Sequence, residues 1–381
     1  MGRLNPRAPW IAAAACWCAF AANADVGAFL DEQTETIRAE HGLPALAAAI
    51  VMDGGVILES VAGVRVAGED AAVEPGDPFH IGSLAKAMTA TLLGRLVDDG
   101  ALGWECALGD VFPEAHDLAD GAFAEVTLAQ LLRHHGGIAP GTSHNAPESI
   151  AMRALEGAPR EQRRAAVEIL LGEASPGEPG RLMRYSNAGY GLAAAMAEAK
   201  TGEAWEDLMR ARIFEPLGMG AAGFGWAATP ERPHVPRGHW ATEEGPVPQP
   251  LNDAYSLYPP IAPGGDVHCS IGGLARFAAL HLHGETNNGG RLLAPETLQE
   301  LHAPAGTGQQ AKAMGWMVQT VDSETALWHS GSAGTFYAWM TLWPERDLAI
   351  VAVANRGDSE AALAQLTGVL FERLTSASEP E

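Results

Sequence analysis

The chain has 381 residues, with 24 Lys+Arg against 47 Asp+Glu and a formal charge of −23. Hydrophobic residues make up 47% and charged residues 19%, the mixture of a globular protein and not of a disordered one. The acid excess argues against a nucleic-acid backbone as partner, which wants a basic stripe, and against anionic lipid headgroups.

Residues 1–24 read as a secretory leader. Arg3 and Arg7 supply a positive start, and Trp10 to Ala22 is an apolar run of 13 residues, too short to cross a bilayer. Ala22-Asn23-Ala24 gives a small-x-small cleavage site, so the mature chain would begin at Asp25. Cleavage removes two bases and no acids, taking the formal charge from −23 to −25. A buried N-terminal helix and a lipid anchor at Cys16 are the alternatives. No later apolar run is long enough for a membrane span. The expectation is an exported protein, periplasmic or secreted, with no membrane span.

Residues 26–40 have a helical apolar face of Phe29, Leu30, Thr34 and Ile37, stopped at His41-Gly42-Leu43-Pro44. Leu46–Met52 and Val56–Ala62 flank Asp53-Gly54-Gly55, a hairpin signal. From Ser83 to Asp99 the period turns helical, and helical patches follow at 127–134, 147–156, 160–172, 188–201 and 203–212. Residues 226–265 are rich in Pro, Gly and His without periodicity, as in an active-site rim. Helical pattern returns at 271–283 and 295–302. Strands are predicted at Met314–Thr320, Ala326–His329, Phe336–Trp343 and Leu348–Ala354, then a last helix over 359–375.

Strands at both ends and helices in the middle predict an α/β (α+β) sandwich. Its antiparallel sheet is built from 25–80 and 310–381 and flanked by N- and C-terminal helices. A mainly helical domain, 81–309, is inserted. Cys106 and Cys269 remain after cleavage, as a disulfide or as two free thiols.

The chain lacks a phosphate-binding glycine loop, a His-Glu-x-x-His pair and a Gly-x-Ser-x-Gly elbow. His134-His135 and His281-x-His283 lack a third ligand and read as surface or packing histidines; no metal site is expected. Three short motifs carry chemistry. In Ser83-Leu84-Ala85-Lys86, the i, i+3 spacing lets hydroxyl and amine meet on one helix face. Gly82 permits a sharp turn, and the helix N-terminus favours an oxyanion and lowers the Lys86 pKa. The alternative is an N-cap serine before a solvated lysine. Chance is held down because the chain has only three lysines, Lys86, Lys200 and Lys312.

Tyr185-Ser186-Asn187 offers a phenol whose pKa a nearby lysine can lower toward neutrality, giving a general base. Asn187 can orient Lys86 or hold a substrate amide. A buried structural tyrosine is the alternative. His329-Ser330-Gly331-Ser332 lies on or next to a strand. Gly331 admits a substrate backbone, an edge strand there can pair with an extended substrate, and the Ser332 N–H can complete an oxyanion hole with that of Ser83.

Together these motifs resemble the penicillin-recognising serine hydrolases. They are most similar to the branch of class C β-lactamases, Streptomyces-type D-alanyl-D-alanine carboxypeptidases, D-aminopeptidases and related esterases, and the resemblance covers nearly all of the mature chain. Phe79-His80-Ile81-Gly82-Ser83, Leu131 to Gly137, Arg184 to Tyr190 and Ile213 to Met219 carry it further, and Pro263-Gly264-Gly265 less completely. It implies a β-lactamase/transpeptidase-like fold. It also implies an acyl-enzyme on Ser83, proton work shared by Lys86 and Tyr185, Asn187 as positioner, and no cofactor. Class C enzymes usually show Lys-Thr-Gly at the third motif. The His329-x-Gly331 form is similar to the carboxypeptidase, aminopeptidase and esterase members. A partly charged His329 would hold a substrate carboxylate less firmly than lysine. The implied substrate is a small molecule or peptide: a D-amino-acid amide, a peptide or a small ester. Weak class C-like β-lactamase action is an alternative, as is a non-enzyme sensor or binding module. Oligomeric state is open.

Overall fold

The structure is a computed structural model. It describes residues 8–376 apart from 53, 173–178, 253–256, 287, 306–309 and 322–323, with backbone alone for 8–22, 56, 120, 310 and 321. The first third of the predicted leader, residues 1–7, lies outside the described residues, as does Asp53 of the predicted hairpin turn.

Helix α1, Ala8–Glu40, is continuous through Ala24 and Asp25, so the predicted amphipathic helix is the second half of a longer one. Strands β1, Ala45–Met52, and β2, Val56–Gly63, form the expected hairpin in full register. A two-residue strand β3, Phe79–His80, leads into the turn Gly82–Leu84 and helix α2, Ala85–Asp98. The aperiodic segment 226–265 holds a hairpin, β4 His239–Thr242 with β5 Gly245–Pro248, that its Pro and Gly content hid. Strand β6, His268–Cys269, pairs with β3. Then come β7 Gln310–Lys312, β8 Met317–Val321, β9 Glu324–Ser332, β10 Tyr337–Trp343 and β11 Leu348–Ala354. The last helix is Glu360–Ser376.

The main sheet has seven strands in the order β2-β1-β11-β10-β9-β8-β7, each neighbouring pair antiparallel. It is stitched from the two ends of the chain, where β1 meets β11 with Leu46 opposite Ala354. Strand β1 does not alternate apolar and polar, because both faces are covered. Ala45, Ala47, Ala49 and Val51 face the helical body, while Leu46, Ala48 and Ile50 face α1 and the C-terminal helix. Small alanines let the helices approach the sheet closely. Helix α2 is buried on nearly every side, which explains its apolar composition. Among the described residues, no helix is long and apolar enough to cross a membrane. Cys106 and Cys269 are free thiols.

One buried ionic cluster joins the helices behind the site. Arg163 donates to Glu198 Oε1 from Nε at 3.0 Å and from Nη2 at 2.7 Å, to both oxygens of Glu206, and to Pro259 O at 3.2 Å. It thereby ties the helices Pro159–Gly172 and Asn187–Thr201 to the turn Pro259–Gly264. Arg163→Met should strand the buried Glu198 carboxylate and cost about 3–5 kcal/mol in denaturant unfolding. A loss under about 1 kcal/mol would show that the cluster does not hold this junction.

Candidate active site

Ser83 sits in the turn between β3 and α2. Gly82 adopts φ +50°, a conformation L side chains rarely take, and a Cβ there would come within 2.7 Å of the Ser332 backbone. The Gly82 N–H donates to His80 Nδ1 at 3.1 Å, fixing the turn from behind. The Ser83 amide lies in the first turn of a helical run, where N–H groups have no intrahelical acceptor.

Lys86 follows one turn later and is fully buried. Its Nζ lies 3.2 Å from Ser83 Oγ, 2.5 Å from Asn187 Oδ1 and 2.5 Å from Gly264 O. Among the described residues, no carboxylate comes within ion-pair distance. Burial therefore pushes its pKa well below the usual lysine value, and the charge of Lys312 adds to the push. Two of its partners are fixed acceptors and the third is a hydroxyl that can donate or accept. The amine thus satisfies every bond with three N–H groups, or with two and a lone pair facing Ser83.

Tyr185 closes the other side of Ser83, its hydroxyl donating to Ser83 Oγ at 2.7 Å. The ring lies 4.5 Å from the His134 ring, centroid to centroid, and 4.5 Å below Lys86 Nζ. His134 has φ +63° and accepts the Ser186 N–H on Nδ1 at 3.1 Å, a packing role that locks the Tyr185 segment. The sequence expectation for Tyr185 is corrected here. Burial raises its pKa to about 12 and outweighs its hydrogen bond with Ser83, so the free protein carries a phenol and not a phenolate.

Strand β9 is interior to the sheet and not an edge, yet its end is open. Pairing with β8 stops at Met317 opposite Trp328, so 329–332 run on beyond it, paired with β10 on the other side. Gly331 is required because a Cβ would overlap Ile81 O and lie 2.8 Å from Ser83 N. Gly331 thus lies against the Ser83 backbone, and Gly82 against that of Ser332. His329 is also corrected. Burial, with the charges of Lys86 and Lys312 beside it, lowers its pKa to about 3 although the Ser330 carbonyl favours the charged form. Its Nδ1 contacts Ser330 O at 2.5 Å, so the neutral ring donates there. An imidazolium that grips a carboxylate is not available.

All seven residues singled out from the sequence gather here. Ser83, Tyr185, His329 and Ser332 line a cleft of about 330 Å³. Sequence reasoning missed two contributors. Gly264 acts through its carbonyl, which no side-chain motif reveals. Lys312 also lines the cleft, and the scarcity of lysine that drew attention to Lys86 applied equally to it. Among the described residues, no three metal-ligating side chains gather.

A serine in the turn before a central helix, flanked by lysine and tyrosine and faced by an open strand end, defines a class, and comparison agrees with it. A family model for beta-lactamase matches residues 30–373, and the chain belongs to that family, whose members are serine hydrolases. Penicillin-binding protein 4 of Amycolatopsis lactamdurans is 28% identical over 363 residues, 92% of this chain and 91% of that protein. The D-amino acid amidase of Ochrobactrum anthropi SV3, solved with L-phenylalanine amide, superposes with a TM-score of 0.72 at 22% identity, covering 92% of this chain and 99% of that one. A class C beta lactamase from Rhodobacter sphaeroides gives 0.69 at 21%, covering 92% and 99%. The fold is β-lactamase/transpeptidase-like, as expected.

The His329 imidazole resonance, assigned by its loss in His329→Gln, should hold one chemical shift from about pH 5 to 8. A titration midpoint near the free-histidine value of about 6.5 would restore the imidazolium.

Proposed function

We propose that the chain is an exported serine hydrolase working through an acyl-enzyme on a D-amino-acid amide, a peptide or a small ester. The observation that carries this reading is Ser83 Oγ held between Lys86 Nζ at 3.2 Å and the Tyr185 hydroxyl at 2.7 Å. Export rests on the leader pattern of residues 1–24.

Lys86, whose pKa burial lowers, takes the Ser83 proton in its amine form as Oγ attacks the carbonyl carbon. The N–H groups of Ser83 and Ser332 receive the oxyanion. Tyr185, protonated in the free enzyme, gives its proton to the departing nitrogen or oxygen as the bond to the acyl carbon breaks. The acyl-enzyme then holds a Lys86 ammonium beside a Tyr185 phenolate, each stabilising the other. In deacylation the phenolate takes a proton from water, the hydroxide attacks, and Lys86 returns its proton to Ser83. Every proton is accounted for and no cofactor is needed. Asn187 keeps Lys86 aimed at Ser83.

The D-amino-acid amide reading draws support from the amidase of the same fold. A β-lactam is an amide too, and would acylate Ser83 by the same steps. The penicillin-binding name of the relative that is 28% identical supports that second reading.

Ser83→Ala should abolish both hydrolysis and covalent labelling by a fluorophosphonate or a fluorescent penicillin; labelling that persists would sink the assignment. Tyr185→Phe should retain the fold by circular dichroism while kcat drops about 10²–10⁴-fold. The panel for wild type is nitrocefin, p-nitrophenyl butyrate, D-Ala-p-nitroanilide and a D-Ala-D-Ala peptide. A product burst without steady turnover would indicate a sensor instead.

A further inference from the structure

Residues 263–267 lie as a splint along the segment that carries Ser83 and Lys86, and every residue of the splint touches that segment. Pro263 O accepts the Thr89 hydroxyl at 2.8 Å, and Gly264 O accepts Lys86 Nζ at 2.5 Å. Gly265 lies against Gly82, where a Cβ would come 3.8 Å from the Gly82 carbonyl carbon. Val267 O accepts the Ile81 N–H at 3.0 Å. Between these, Asp266 turns its Oδ1 toward His80 Nε2, 3.5 Å away.

The His80 ring is buried, with Trp226 at 5.1 Å and Phe336 at 6.5 Å between centroids. Its Nδ1 accepts the Gly82 N–H at 3.1 Å. A backbone N–H can only donate, so that nitrogen carries a lone pair and the ring proton sits on Nε2, facing the Asp266 carboxylate. The carboxylate favours this tautomer. Asp266 is fixed in turn. Its Oδ1 accepts the Gly225 N–H at 2.6 Å, while the Gly225 carbonyl accepts from His268 Nδ1 at 2.9 Å. Strands β3 and β6 set His80 opposite His268, so the whole arrangement hangs on one rung of that short ladder.

We propose that His80 is a positioning residue: with its ring proton set on Nε2 by Asp266, it holds the Gly82 amide and thereby aims the Ser83 hydroxyl and N–H. Gly82 stands at φ +50° with the Ser332 backbone against it, so the orientation of its peptide decides where Ser83 begins. The same splint holds Lys86 through Gly264, and one short segment thus registers the nucleophile against its base. His80 acts through Gly82 and not on the reacting atoms. This inference rests on the hydrolase reading above.

Two substitutions divide the bonds of the ring. His80→Asn puts an amide oxygen near the place of Nδ1 and gives up the bond to Asp266. His80→Gln puts an amide N–H near the place of Nε2 and gives up the acceptor for Gly82. The probe is a fluorophosphonate, whose labelling of Ser83 does not depend on the substrate. His80→Gln should lower the limiting labelling rate about 10–10²-fold and leave the half-saturating concentration within about twofold. His80→Asn should recover most of that loss. Equal losses in both variants, none in either, or a rise in half-saturating concentration in place of the rate would overturn the role. Nitrogen-15 NMR of histidine-labelled wild type reads the tautomer, with Nε2 protonated and Nδ1 bare as the expected pattern; the opposite pattern overturns the proposal. Asp266→Ala should move that proton in part to Nδ1, and an unmoved proton would overturn the part given to Asp266. A wild type that takes no label, with a Gly82 amide resonance that shifts in His80→Gln and stays in His80→Asn, would sink the hydrolase reading and keep the His80 contact. Normal labelling in every variant would do the reverse.

Discussion

The organising constraint of this molecule is a lysine buried with no anion beside it. An ammonium withdrawn from water needs either a carboxylate or a full set of hydrogen bonds, and Lys86 has the second. Each of its three partners comes from a different part of the chain. Ser83 belongs to the turn before α2, Asn187 to the first turn of a helix 101 residues on, and Gly264 to a turn 178 residues away. The Arg163 cluster, the glycine contacts at 82 and 331, and the open end of β9 can all be understood as holding those three parts around one nitrogen. A carboxylate in their place would have satisfied the charge more simply, but would have favoured the ammonium and raised the Lys86 pKa instead of leaving it lowered.

The same low dielectric sorts the neighbouring groups. It holds Tyr185 as a phenol and His329 as a neutral ring, and lowers both lysines toward the amine form. The positive charges are not independent, since Lys312 depresses Lys86, and both depress His329.

Much of this was legible in the sequence, and the parts that were not have physical reasons. The Ser83–Lys86 pair is local, so its spacing alone brings the groups together. Tyr185 and Asn187 fall beside a helix start and travel as one motif. The β1–β2 hairpin and strands β8 to β11 have enough apolar residues to declare themselves, whereas the three-residue β7 does not. By contrast β3 and β6 have two residues each, too few for any period. The β4–β5 hairpin ends in proline and glycine and lies in a segment without alternation. The charge states of Tyr185 and His329 were misread because burial is tertiary, and a neighbouring lysine signifies little until its own protonation is known. Lys312 sits 17 residues before His329 with strand β8 between them, and sheet register brings it back to the cleft.

The pairing of β1 with β11 bears on how the chain comes to be folded. Leu46 must wait for Ala354, and the turn carrying Ser83 must wait for Ser332, before either is enclosed. Contacts between residues so distant in sequence exact their loop-closure entropy before they return any stability, which slows folding. Until that closure, β1 is an apolar strand with one edge unsatisfied, a template for pairing with another nascent chain. The interleaved design therefore makes assembly of the cleft a late event. A partly synthesised or truncated chain holds no half-built cleft, because Ser83 and the strand that faces it are joined only when the sheet is complete.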